Sequence, residues 1–300
     1  MSIRYEETRF EGYDCIRLEN QVLKLWITES CGPRIIGLNL HGQDNLMALL
    51  PNATYRIPSG SDYHFRGGHR LWHGPEDPER TYVPDDKPVS VQQIDGGLLA
   101  KQPVEGLTGI QKVMEVTLSE KEPLVTLNHT LTNRGPQRVS LTPWAITQLK
   151  PGGFAILPQA VHTTGLLPNR RLAIWPYTSI NSPHLIWGDK YTFVLATMHS
   201  GKLKIGWANP VGWLAYWIAG TLFVKYAEYQ PQSDYLDFGS SSECYCDPQF
   251  LELETLGPVT SLAPGQSVSH KERWLLISDI DIEPEESSVA EIAGMIERRY

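Results

Sequence analysis

The sequence predicts an all-β protein in which large antiparallel sheets pack face to face and a short helix closes the C-terminus. Three observations carry this. Apolar and polar residues alternate with a period of two in segment after segment, as they do along half-buried strands. Gly, Pro, Asn and Asp clusters separate those segments. No run before Glu283 sustains a helical period. So many strands without strand–helix alternation imply antiparallel pairing and a sandwich.

Taken in order, IRLENQVLKLWIT and RIIGLNLHG read as strand, turn, strand. The segment Pro51 to Pro88 reads as loop-rich, and a loop of that length inside one domain is usually functional. Val125, Leu127, His129 and Leu131 alternate with threonine and asparagine; Asn133-Arg134-Gly135-Pro136-Gln137 supplies a turn, and RVSLTPWAIT resumes strand character. That pattern predicts a hairpin. Further strands are expected at Tyr191 to His199, Lys202 to Trp207, Trp213 to Ile218, Leu222 to Tyr229, Phe250 to Leu256 and Val268 to Ser278. The helix is expected over about 284–299. Pro284 suits a first turn, Glu285 and Glu286 favour the N-terminal end, and Val289, Ile292, Ala293 and Ile296 share a face closed by Arg298 and Arg299.

No composition shift, linker or short repeat divides the chain, so residues 1–300 read as a single domain. A net charge of -8 and the absence of a basic stripe argue against a nucleic-acid partner. The N-terminal MSIRYEETRFEGYD lacks the apolar core of a signal peptide, which predicts a cytoplasmic protein. The longest uncharged apolar run, Val211 to Val224, falls short of the roughly 20 residues of a membrane-spanning helix and reads as buried strand. Four cysteines make no disulfide framework. Cys244 and Cys246 have no matching second pair, so they read as reduced, structural thiols rather than metal ligands. The histidines show no HxH or HExxH spacing, and no metal or other cofactor is expected.

Three groups of residues could carry chemistry. RGGHRLWHGPEDPERTY, from Arg66 to Tyr82, places Arg70, His69, His73 and Trp72 between glycine pairs and a Gly-Pro break. Trp72 could stack on the apolar face of a sugar ring while Arg70 and the histidines bond its hydroxyls; against this stands a structural loop with Trp72 in the core. In FLELETLGP, Glu252 and Glu254 share one face of a strand, opposite Leu251 and Leu253. Two such carboxylates either face water or raise each other's pKa in a cleft, as a general base near neutrality requires. Nine tryptophans and 13 tyrosines must be mostly core, with a few free to line a carbohydrate cleft.

Together CGPRIIGLNLHGQDNLM, GGHRLWHGPE, LTNRGPQRVSLTPWAITQLKPGG and FLELETLGPVTSLAPGQSVSHKERWLL resemble the galactose mutarotase-like (aldose 1-epimerase-like) superfamily, from about Tyr13 to Ile277. The resemblance implies a supersandwich of antiparallel sheets with an open sugar-binding cleft. It implies that Glu254, or Glu252 one pleat away, takes the anomeric hydroxyl proton. The superfamily's acid histidine has no counterpart in LTPWAITQ, where Pro143 or Trp144 stands instead, and Trp144 is no acid at neutral pH. His69 and His73 are then the candidate acids, with Arg70 as clamp for a hydroxyl or a uronate carboxylate, and Trp72, Trp144 and Gln148 as further substrate contacts. The expected partner is a small carbohydrate, a sugar, uronate or other derivative. Two readings compete with an epimerase: a non-catalytic sugar-binding module, and a polysaccharide lyase or glycoside hydrolase in which Glu76, Asp77 or Glu79 partners Glu254.

Overall fold

Strands that bury one face against a second layer, and lift the other towards solvent or loops, account for about half of the chain. A computed structural model describes residues 3–298. The first sheet runs β1 (Arg4–Phe10), β2 (Tyr13–Glu19), β3 (Leu23–Thr28), β4 (Ile35–Leu40), β7 (His69–Gly74), β12 (Val139–Leu149), β21 (Leu251–Leu256), β20 (Ser242–Cys246), β17 (Leu203–Trp207) and β14 (Leu172–Ile174), with β22 (Thr260–Leu262) also paired to β12. The second runs β15 (Leu185–Trp187), β16 (Tyr191–Leu195), β13 (Phe154–Pro158), β18 (Trp213–Ile218), β19 (Thr221–Ala227), β23 (Ser267–Ile277), β11 (Leu124–Asn133), β10 (Ile110–Leu118), β9 (Gly97–Lys101) and β8 (Ser90–Ile94). A two-stranded ribbon, β5 (Leu49–Arg56) with β6 (Asp62–Gly67), stands beside them. All pairings are antiparallel.

The core lies between the two large sheets. Leu251 and Leu253 of β21, Cys244 and Cys246 of β20, and Leu203, Ile205 and Trp207 of β17 meet Leu127, Phe223 and Trp274 of the other sheet. Hydrophobic burial of this kind contributes about 25 cal/mol per Å² of apolar surface, so the layer between the sheets is the main source of stability. The four cysteines are free and buried, two of them in this layer. The single C-terminal helix, Glu286–Glu297, covers the outer face of the second sheet. Val289, Ile292, Ala293 and Ile296 pack there against Phe193, Trp213 and Leu275. Met1, Ser2 and Arg299 lie outside the described residues. A four-residue turn at Leu236–Gly239 is helical by bonding but includes left-handed Asp237 and Phe238. Among the described residues no helix is long and apolar enough to cross a membrane.

Two expectations are corrected. Val125–Leu131 and Arg138–Thr147 do not form a hairpin, because β11 belongs to the second sheet and β12 to the first. The corner between them is tied elsewhere. Asn133 Nδ2 donates to the carbonyls of Gln137 (2.7 Å) and Leu262 (3.0 Å), its Oδ1 accepts from Gly135 N (3.0 Å), and its backbone pairs with Gln266 and Gly265. The chain leaves that corner facing β22, to which it pairs at Val139 and Leu262. Pro51 to Pro88 is loop over only about half its length, since it holds most of β5 and all of β6 and β7, with irregular structure at 57–61 and after Gly74. Val211 to Val224 is buried strand, as expected, and comprises β18, a turn at left-handed Ala219 and Gly220, and the start of β19.

The corner before β7 explains the misreading of RGG. Arg66, Gly67 and Gly68 all have positive φ (56°, 88° and 72°). A Cβ at Gly67 would lie 2.0 Å from the Ala48 carbonyl oxygen, and one at Gly68 would lie 2.1 Å from that of Ile35. Glycine is therefore required twice for the chain to pass from the ribbon into the first sheet. Arg66 is held in its unusual conformation by ion pairs to Asp85 (2.7 Å) and Asp86.

Candidate functional site

Because side chains alternate along a strand, the face of the first sheet turned away from the core receives Arg70 and Trp72 from β7, Trp144, Ile146 and Gln148 from β12, Glu252 and Glu254 from β21, Glu243 and Tyr245 from β20, and Lys204 from β17. Register sets them in rows: Trp72 opposite Trp144; Arg70 opposite Ile146, then Glu254, then Glu243; Gln148 opposite Glu252, then Tyr245, then Lys204. Over them lies an open cleft of about 840 Å³. Its walls come from the ribbon (Tyr55, Phe65), the irregular segment after β7 (Glu76, Tyr82), the segment after β14 (Trp175, Tyr177), and the Asp247–Phe250 turn.

Two cations hold three carboxylates at the floor. Arg70 Nη2 donates to Glu252 Oε1 at 3.2 Å, and Gln148 Nε2 donates to the same oxygen at 2.9 Å. The Arg70 guanidinium lies 4.0 Å from the centroid of the Trp72 ring, so the indole face supports the cation. Lys204 Nζ is 2.9 Å from Glu254 Oε2 and 2.7 Å from Glu243 Oε2. Trp144 Nε1 donates to Glu254 Oε2 at 2.6 Å. Lys204 also sits 4.8 Å from the ring centroids of Trp144 and Trp175.

The surplus of carboxylates over cations has a titration consequence. Burial and then the Glu254 carboxylate push the Glu252 carboxyl up to about 7, with Arg70 pulling the other way. Burial pushes Glu243 well above the usual carboxylate range, against the pull of Lys204. Burial alone would lower the Lys204 ammonium, but Glu243 and Glu254 outweigh it and hold the pKa well above its ordinary value. The floor therefore keeps a proton near neutrality, and Glu252 is the carboxyl that both lines the cleft and exchanges it there.

The two sequence candidates for the base are thus distinguished. Glu252 lines the cleft. Glu254 has no exposed surface and lies beneath Trp144 and Lys204. Arg70, Trp72 and Trp144 line the cleft as well, while Gln148 is buried and acts on it through Glu252.

His69 and His73 are corrected as cleft acids. They share the core-facing side of β7, opposite Arg70 and Trp72. His69 Nδ1 is 2.9 Å from Thr147 Oγ1 and its Nε2 is 3.0 Å from His129 Nε2. His73 lies 3.5 Å from Glu105, beside Lys112. Burial lowers both imidazole pKa values. No histidine lines the cleft among the described residues. Asp77 does not line it either; its Oδ1 caps the backbone amides of Glu79 and Arg80, both at 2.9 Å. Glu76 does, bonded to Tyr82 Oη.

Lys204 and Glu243 are cleft-side residues that motif spacing passed over, while Trp175 and Tyr177 come from the aromatic group of which a few were expected to line a cleft. A signal existed for the first two. In SECYC the buried thiols of Cys244 and Cys246 alternate with Glu243 and Tyr245, and in LKIGW Lys204 alternates with Leu203 and Ile205.

No protein-family model matches the chain, and no curated protein sequence does. Solved structures do. A TPR-domain-containing protein from Parabacteroides distasonis aligns with TM-score 0.60 and 18% identity over 90% of this chain and 48% of its own, so the chain spans about half the length of that protein. A galactose mutarotase-like protein from Lactobacillus casei aligns with TM-score 0.54 and 11% identity over 88% and 100%. A galactose mutarotase related enzyme from Lactobacillus acidophilus gives 0.54 and 10% over 89% and 98%. The fold is the galactose mutarotase-like sandwich of antiparallel sheets.

Proposed function

We propose that the protein binds a small carbohydrate in this cleft. The observation that carries the reading is the combination of aromatic walls, from Trp72, Trp144, Trp175, Tyr82 and Tyr177, with a charged floor of Arg70, Lys204 and Glu252. Aromatic faces take the apolar C–H faces of a sugar ring, and a few fixed polar groups then select hydroxyl positions. Mutarotase-like neighbours across nearly the full chain support the same reading.

A second reading, anomer exchange, is favoured by the Glu252 carboxyl at about 7. As carboxylate it accepts the proton of the anomeric hydroxyl while the ring oxygen takes a proton from water admitted by the open cleft and the bond between C1 and the ring oxygen breaks. Reclosure on the other face of the aldehyde gives the other anomer and returns the protons. A group poised near the working pH suits such transfers. With no imidazole in the cleft, Arg70 and Lys204 serve as hydrogen-bond donors to the ring and its hydroxyls.

Ligand-observed NMR with a panel of aldoses, uronates and sugar phosphates tests both. Saturable line broadening by at least one sugar supports the cleft as a carbohydrate site; no broadening across the panel sinks it. Faster exchange between α and β anomeric signals, lost in Glu252→Gln, supports catalysis. Broadening with exchange at the uncatalysed rate makes the protein a binding module.

A further inference from the structure

The layer between the sheets, on the opposite side of β7 from the cleft, holds a group of polar side chains that sugar binding does not use. His69 comes from β7 in the first sheet; His129 and Glu272 come from β11 and β23 in the second. All three are fully buried. Their facing atoms form a compact triangle: His69 Nε2 to His129 Nε2 is 3.0 Å, and each lies 3.8 Å from Glu272 Oε2. The longer sides exceed a hydrogen bond. A point equidistant from the three atoms lies about 2.1 Å from each, the bond length of zinc to imidazole nitrogen and carboxylate oxygen.

We propose that His69 Nε2, His129 Nε2 and Glu272 Oε2 bind a divalent transition metal of the zinc class, clamping one sheet to the other. The donor set of two imidazoles and one carboxylate suits that ion.

The surroundings orient the ligands as outer-shell partners do in metal sites. Thr147 Oγ1, at 2.9 Å from Nδ1, fixes the His69 ring with Nε2 towards Glu272. Lys225 Nζ takes the other carboxylate oxygen, Oε1, at 2.9 Å and is otherwise occupied by the carbonyls of Ala145 and Leu253, both at 3.0 Å. Trp274 Nε1 donates to Oε2 at 3.1 Å, which leaves that oxygen a further lone pair. Among the described residues His129 Nδ1 is buried without a partner. His270 stands nearby, bonded to Thr255 at 2.8 Å, but outside the triangle. Since the ligands are closed off from solvent, the ion enters before the sheets close, and its binding energy becomes folding energy.

The test uses the full chain, unfolded in guanidinium and refolded with Zn²⁺, with Co²⁺ or with EDTA, then desalted. The proposal expects about one equivalent of zinc per chain by mass spectrometry of the metal, a melting temperature higher by more than about 5 °C than in EDTA, and visible d–d absorption from cobalt. His129→Asn is expected to cut zinc content at least roughly tenfold and to abolish the cobalt spectrum, because a ligand is gone. His270→Gln, next to the triangle but not in it, is expected to keep both. Folded wild-type protein that holds less than about a tenth of an equivalent after refolding in zinc, melts alike in zinc and EDTA and stays colourless in cobalt overturns the proposal. So does equal metal content in wild type, His129→Asn and His69→Gln. Should the variants fail to fold, the wild-type comparison alone decides. Neither result depends on whether the cleft binds a sugar.

Discussion

Strands β7, β12 and β21 present polar side chains on both faces, and the two faces meet charge differently. On the cleft side, Arg70 and Lys204 meet Glu252, Glu254 and Glu243 beneath an open volume. On the core side, Thr147 and Thr255 join His69, Lys225 and Glu272 in a layer with no access to water. The cleft network has more carboxylates than cations and keeps a proton near neutrality. In the core, Lys225 and Glu272 match one to one, and Lys225, with the histidines, holds the Glu272 carboxyl well below the usual range in spite of burial. The same residue chemistry gives an exchangeable proton where solvent and ligand can reach, and a fixed ion pair where they cannot.

The comparison is broken most forcefully from the core side. Glu272→Ala strands the Lys225 ammonium in a fully buried position, and losing one partner of such a pair costs roughly 3–5 kcal/mol. Urea unfolding should show that loss, whereas Glu252→Gln, on the cleft floor, keeps an oxygen to accept from Arg70 and should stay within about 1 kcal/mol of wild type. Equal losses would erase the distinction between the faces. Next in size is the effect of Glu252→Gln on chemistry. If the protein exchanges anomers, the variant should slow exchange by roughly 100-fold or more, with sugar affinity changed only a few-fold, as NMR exchange and titration calorimetry would show. A smaller effect is expected from Trp72→Ala, which removes both a cleft wall and the support of Arg70. Sugar affinity should fall about tenfold, or ~1.4 kcal/mol.

The smallest effect is the one that sharpens the contrast, because the two carboxyls have pH slopes of opposite sign. Glu252 is raised from 4.5 to about 7, so between those values the folded chain keeps a proton that the unfolded chain has released. Its contribution to stability declines as pH rises through that window and is level above it. Glu272 is lowered, so its contribution is present above the unfolded value and is lost as pH falls below it. Melting temperatures measured across pH 3–8 should show a shallower decline between about pH 4.5 and 7 in Glu252→Gln, the raised Glu243 keeping its share, and keep the acid-side loss.

Much of the fold was legible because alternation is local. The strands from Tyr191 to Ile277, the face shared by Glu252 and Glu254, and the apolar stripe of the C-terminal helix can all be read from neighbours in sequence. Pairing is not local. Nothing in LTNRGPQRV says whether the chain turns back on itself or crosses to the other sheet; the bonds from Asn133 to Leu262 and Gln266 decide it, and they come from more than a hundred residues away. The histidines failed for a related reason. GGHRLWHGP reads as loop because of its glycines and proline, yet its middle is a strand, and in a strand His69 and His73 must face away from Arg70 and Trp72. The triangle of His69, His129 and Glu272 is invisible as a motif, since its members meet only when three strands from two sheets are stacked.

The corner at Asn133 also bears on how the cleft can respond to a ligand. It joins the middle of one sheet directly to the middle of the other, so neither layer can slide or tilt without pulling on that seam. Opening the two layers like the covers of a book would strain that seam. The rim, where Tyr55, Tyr82 and Tyr177 sit on the ribbon and on irregular segments, is not tied in this way. If the cleft takes a sugar, as proposed, the floor is the part that would select it and the rim the part that would adjust.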